Sequence, residues 1–188
     1  MKVSVGISNR HVHLKKEDCD ILFGDGFELE NLSDLKQPGQ FAAKQILTLK
    51  TDKGTIENVR VLGPFRPATQ VEISRTDSYK LGLNPPVRDS GDLDGSEKIT
   101  LIGPMGEVEV IGCILPRRHI HISSSDKEKY NLSDVVSVKS DGVRGGVFDN
   151  VAVKVADPSY FELHLDTDEA NAFNIKNSDE LFIEKKSK

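Results

Sequence analysis

Apolar and polar positions alternate along most of this chain in short runs, the pattern of half-buried β-strands. Residues 47–50 (LTLK) and 56–62 (IENVRVL) are such runs, joined by the turn Thr51-Asp52-Lys53-Gly54. Residues 99–102 (ITLI) and 108–111 (VEVI) repeat the arrangement around Gly103-Pro104-Met105-Gly106. Each pair reads as a hairpin with a turn-forming glycine. Residues 135–139, 151–155 and 180–183 add strands. Helical stretches are few and short. Residues 15–23 stop at Gly24, and residues 76–81 open on Thr76 as a cap and close at Gly82. Residues 125–130 and 167–173 are similar. Helices of this length can cover the end of a barrel but cannot form a βαβ crossover layer, which argues against a Rossmann or TIM fold. The expected class is mainly β: two related closed β-barrels capped by short α-helices.

Internal repetition supports two barrels. Arg10-His11-Val12-His13-Leu14 recurs as Arg118-His119-Ile120-His121-Ile122, and a short acidic helix candidate follows each copy. With a boundary near Leu115-Pro116, one barrel is expected from residues 10–117, including the first His-x-His strand. The other is expected from residues 118–188, completed by the N-terminal strand 1–9.

The repeated segments also carry the chemistry. Four of the chain's five histidines lie in the two His-x-His pairs, and the fifth is His164 in ELHLD. Residues i and i+2 of a strand face the same way, so each pair presents two imidazoles on one face, as a metal ion requires. A single such pair could equally be an ordinary core or surface feature; two copies in one Arg-His-x-His context favour metal. His164 alternates with Glu162 and Asp166 and so is also placed on a strand. Glu72, between Val71 and Ile73, either faces solvent or turns into a polar site, and alternation leaves both open. His11, His13, Glu17 and Gly24 resemble part of a cupin motif. Glu17, however, falls in the first turn of a helix, where the dipole favours an acid, and a single cupin site has no place for the second pair. Lys53, Arg60, Arg66, Arg75 and Arg88 are either surface charge or part of a site for phosphate or a phosphorylated cofactor. Arg144-Gly145-Gly146 reads as a tight turn.

Composition narrows the partners. A formal net charge of -5 argues against a general nucleic-acid binder, so an anionic ligand must meet a local cluster of Arg and Lys. Cys19 and Cys113 lie far apart and read as buried free thiols. No apolar run reaches the roughly 18 residues of a membrane span, and MKVSVGISNRHVHL lacks a signal-peptide apolar region. A reducing cytoplasm is expected.

The stretches SNRHVHL, QPGQFAAK, ENVRVLGPFRPATQVEISRTD, PVRDSGDL, RRHIHI, GGVFDNVAV and LHLDTDEAN resemble the PduL-type phosphotransacylases, the phosphate propanoyltransferases. The resemblance runs from the N-terminus nearly to the C-terminus. It implies two helix-capped barrels, two zinc ions, and interconversion of a short-chain acyl-CoA (propanoyl or acetyl) plus inorganic phosphate with the acyl phosphate plus coenzyme A. By motif position, His11, His13 and Glu72 hold one zinc, which leaves a position for the coenzyme A sulfur. His119, His121 and His164 hold the other. Arg66 binds phosphate and is the catalytic residue. Ile7, Ser8, Asn9, Lys53, Arg60 and Asn171 contact coenzyme A. The chain lacks the N-terminal extension that directs some members into bacterial microcompartments, so a free cytoplasmic enzyme is expected. No nucleic-acid or membrane partner is expected, and exposed barrel edges would admit a homodimer. Phosphate is expected to attack the thioester directly, with a covalent step as the alternative. Two other classes remain: a metal-dependent hydrolase of a thioester or phosphorylated substrate, and a non-catalytic barrel module whose histidines only stabilise the fold.

Overall fold

The structure, a computed structural model, describes residues 1–184. The described chain is mainly β and divides into two compact units, one of residues 10–116 and one of residues 1–9 with the described residues from Arg117 onward. In the central unit, β2 (His11–His13), β4 (Phe41–Lys50), β5 (Thr55–Gly63), β6 (Gln70–Glu72), β8 (Glu97–Ile102) and β9 (Glu107–Pro116) close a six-stranded barrel in the order β4-β5-β2-β6-β9-β8. Two short strands are appended, β3 (Asn31–Asp34) on β4 and β7 (Val87–Arg88) on β9. In the other unit, β1 (Lys2–Ser8), β13 (Glu162–Asp166), β10 (His119–Ile122), β12 (Gly146–Val155), β11 (Val135–Ser140) and β14 (Glu180–Glu184) close a second barrel.

The two barrels share one plan. Each His-x-His strand lies parallel to the second strand of a hairpin and antiparallel to a strand that runs into a helix. That next strand is then parallel to β9 in one unit and to β1 in the other. β1 therefore fills in the second barrel the place β9 fills in the first, although it comes first in the chain.

Alternation builds each core. Val12, Leu14, Leu47, Leu49, Val59, Val61, Val71 and Ile73 point into one barrel; Val3, Val5, Ile120, Ile122, Val138, Leu163 and Leu165 point into the other. At about 25 cal/mol per Å² of apolar surface removed from water, such burial is the main stabilising contribution.

Four short helices follow strands: α1 (Lys16–Phe23), α2 (Arg75–Leu81), α3 (Ser124–Tyr130) and α4 (Thr167–Ala172). The first three start one residue from the expected position, and α4 starts at Thr167 as expected. Ser74, not Thr76, caps α2, because its hydroxyl accepts from the Asp77 N–H while the Asp77 carboxylate accepts from the Ser74 N–H. Asp166 and Glu169 make the same reciprocal box on α4. The hairpin glycines also serve a purpose other than the one expected. None of Gly54, Gly103 and Gly106 has a positive φ. Instead a Cβ on Gly54 would lie 2.3 Å from the Lys80 carbonyl oxygen, and one on Gly103 would lie 2.4 Å from that of Leu22. Glycine is needed there because helix ends pack directly onto the hairpin turns. Among the described residues no helix is long and apolar enough to cross a membrane.

Candidate active site

In the central unit, Val12 and Leu14 occupy the core, so His11 and His13 project from the opposite face of β2. β6 runs antiparallel beside it and places Glu72 across from His11 and Gln70 across from His13. All four are buried although they face away from the apolar core. One donor atom from each of His11, His13 and Glu72 lies within 4.8 Å of the others. His11 Nε2 is 3.5 Å from Glu72 Oε2, and the two imidazoles meet edge to face. Burial holds His13 far below the usual imidazole range, at about 2, with His11 and Arg66 pushing the same way and the Leu62 backbone pulling against them. Its Nδ1 is sealed from water and makes no well-formed hydrogen bond.

Arg66 is tied to this cluster through the backbone. Its N–H donates to the Leu14 carbonyl at 2.9 Å, fixing the loop after β5 against the end of β2. Among the described residues its guanidinium makes one hydrogen bond, from Nη1 to Ser90 Oγ at 2.8 Å. A guanidinium has five N–H donors, so most remain available to an anion. Burial lowers its pKa and Glu72 raises it again. Gln70 completes the surroundings: Nε2 donates to Glu72 Oε1 at 2.6 Å and Ser90 Oγ at 2.8 Å, while Oε1 accepts from the Gly91 N–H at 2.7 Å.

The other unit repeats this geometry. Ile120 and Ile122 fill the core, leaving His119 and His121 on the opposite face, with His164 across from His119 and Glu162 across from His121. Donor atoms of His119, His121 and His164 again lie within 4.8 Å of one another. His119 Nδ1 donates to the Arg117 carbonyl at 2.8 Å, so its Nε2 keeps the lone pair, 3.0 Å from His121 Nε2. Nitrogens about 3.3 Å apart are what a tetrahedral zinc with bonds of about 2.0–2.1 Å would bring together. Burial, then Lys154, lowers His119 well below the usual value; burial, then His164 and Lys154, lowers His121 to about 4. Imidazoles converging away from the core suit a borderline-soft cation, and both donor sets fit a divalent transition metal.

The residues expected to contact coenzyme A are placed less uniformly. Ile7 and Ser8 end β1 and Asn9 follows; the Ile7 N–H donates to Asn177 Oδ1 at 3.0 Å. Asn171 lies on α4. Lys53 sits in the β4–β5 turn, its stem against Gly82. Arg60 is beside His11 on β5, but its Nη1 is taken by the Ala43 and Lys44 carbonyls, where β4 is irregular. Arg75 and Arg88 are tied into local structure, Arg75 to Asn84 and Arg88 to the Asp94 carbonyl and Asp92. Gln70, Ser90 and Glu162 are the polar neighbours not singled out from sequence; for Gln70 and Glu162 the signal was available, each two residues before a donor on the same strand.

These features accompany a clear relationship to known proteins. The family model described as phosphate propanoyltransferase matches residues 4–176. The phosphate propanoyltransferase of Thermotoga maritima is 51% identical over 185 residues, covering 96% of this chain and 88% of that protein. That of Rhodopseudomonas palustris is 49% identical over 188 residues, covering 98% and 83%, and that of Listeria monocytogenes 43% over 189 residues, covering 99% and 89%. The chain is thus an acyltransferase enzyme, of the class that moves an acyl group to or from phosphate. It belongs to the phosphate propanoyltransferase family.

Proposed function

We propose that the enzyme interconverts a short-chain acyl-CoA plus inorganic phosphate with the acyl phosphate plus coenzyme A, using a metal ion at each donor cluster. The observation that carries this reading is Arg66 beside the His11/His13/Glu72 cluster: a half-buried cation with free donors next to a metal-ready donor set. His11, His13 and Glu72 would hold one ion and His119, His121 and His164 the other, with zinc the best match to ligands of this kind. When bound, such an ion supplies a Lewis acid for a carbonyl and a soft partner for sulfur.

The chain's own residues do the rest. Arg66 binds a phosphate oxygen pair and offsets its charge, holding a weak nucleophile at the thioester carbon. Ser90 and the Leu14 carbonyl keep the Arg66 side chain and backbone in place. A phosphate oxygen forms the new C–O bond as the C–S bond breaks, and the phosphate proton ends on the released thiol. Ile7, Ser8, Asn9, Lys53, Arg60 and Asn171 are the contacts proposed for coenzyme A.

The test is release of free thiol from propanoyl-CoA by metal-replete enzyme, with and without phosphate, and with acetyl-CoA as a competing substrate. Phosphate-dependent release with formation of acyl phosphate is expected. Absence of activity would overturn the reading, and release that phosphate inhibits would point to a hydrolase.

A further inference from the structure

Each donor cluster has a polar neighbour at the same place in its barrel. Gln70 is two residues before Glu72 on β6 and opposite His13; Glu162 is two residues before His164 on β13 and opposite His121. Both are almost fully buried, at 2% and 3% exposure. Both contact the donor that follows them, Gln70 Nε2 to Glu72 Oε1 at 2.6 Å and His164 Nε2 to Glu162 Oε2 at 3.0 Å. Where the third donor is a carboxylate, which only accepts, its neighbour is an amide that donates. Where the third donor is an imidazole, its neighbour is a carboxylate that accepts.

Neither contact is a loose choice of rotamer. The Gly91 N–H can only donate, so it fixes Gln70 Oε1 toward itself and turns Nε2 to Glu72 and Ser90. The Glu162 carboxyl lies over Gly6 on β1, where a Cβ would come within 2.6 Å of Oε2. The glycine leaves room for the carboxylate. The matching also equalises charge: each cluster has two histidines on one strand and one carboxylate on the next, which is a donor itself in one unit and a partner of the donor in the other.

We propose that Gln70 and Glu162 are paired positioning residues, each orienting the third donor of its cluster and setting how tightly that cluster holds a cation. The inference rests on the metal reading above. Partners of this kind typically change metal affinity by about 10–100-fold.

Zinc binding measured by competition with a chromogenic chelator tests it. Glu162→Ala and Glu162→Gln are read in a His11→Ala background, and Gln70→Ala in a His119→Ala background, so that one cluster is followed at a time. Each alanine variant should bind zinc about 10–100-fold more weakly, and Glu162→Gln should lose less, because its amide oxygen still accepts from His164. The alanine variants lose buried hydrogen bonds and should melt somewhat lower even without metal, but the gap from the background protein should widen when zinc is added, and cobalt substituted for zinc should show an altered visible spectrum. Affinity equal to that of the background protein would overturn the inference while leaving the metal reading intact. So would an equal loss of stability with and without metal, which marks a purely structural role. Failure of the unsubstituted protein to bind zinc would overturn both.

Discussion

Arg118 Nε donates to Glu169 Oε1 at 2.8 Å, linking the residue before the second His-x-His pair to the third residue of α4. Arg10 and Asp77 make the equivalent contact in the other barrel, at 2.8 and 2.7 Å. In both cases the acid also closes the capping box that follows a donor-bearing strand. The start of one donor strand is thereby bound to the end of its neighbour.

This contact has a pH signature. Burial, then Asp166, raises Glu169 to about 6, against the pull of Arg118. Desolvation therefore outweighs the ion pair. Between about pH 4.5 and 6 the folded state keeps a proton that the unfolded chain releases, so this group's contribution to stability falls as pH rises through that window. Above it the penalty is complete, on the order of 2 kcal/mol. Glu169→Gln preserves the cap and should flatten the pH dependence of the melting temperature across this window; Arg118→Ala should extend it to higher pH. Thermal scans at successive pH values read both.

Arg66→Ala should raise the phosphate concentration needed for half-maximal rate and lower the rate by about 10²–10³-fold, with metal content unchanged. Arg66→Lys should recover part of the loss, since an ammonium supplies charge without the paired geometry. Steady-state kinetics alongside elemental analysis checks both, and metal loss in Arg66→Ala would contradict the role assigned here.

Gly6→Ala should act on the second cluster from outside it. The added methyl would meet Glu162 Oε2 at 2.6 Å and His164 Cδ2 at 2.9 Å. Weaker zinc binding at that cluster is expected, with the other cluster unaffected, as titration with a chelator would show.

Cys19 and Cys113 should be silent toward a thiol reagent in the native protein. Both are fully buried, and burial raises their thiols to about 11 and 12. The native enzyme should therefore add no background to a thiol-release assay near pH 8, whereas unfolded protein should react at both positions.

Strands that alternate cleanly, such as those carrying Val12, Leu49 and Val61, are legible in sequence because one face of each is buried in a barrel core. The first half of β4 is not, because its ladder shifts register between Ala42 and Ile46. β3 is exposed at every position and gives no periodic signal. At the site, spacing alone put each histidine pair on one face. Glu72 is ambiguous in sequence because its place opposite His11 comes from antiparallel pairing, a property of two strands. Ser90 was invisible for a stronger reason: it meets Arg66 and Gln70 only through a loop distant in sequence.

β1 closes its barrel between β13 and β14, with Lys2 beside Phe182. In order of synthesis, residues 10–116 are an insertion within the other barrel. The inserted barrel has all its strands as soon as β9 is made, while β1 must wait for β14 to be its neighbour. A circular permutant that starts at Arg10 and splices β14 to β1 would make both barrels continuous in sequence, and comparing its refolding with that of the natural order would isolate the cost of that wait.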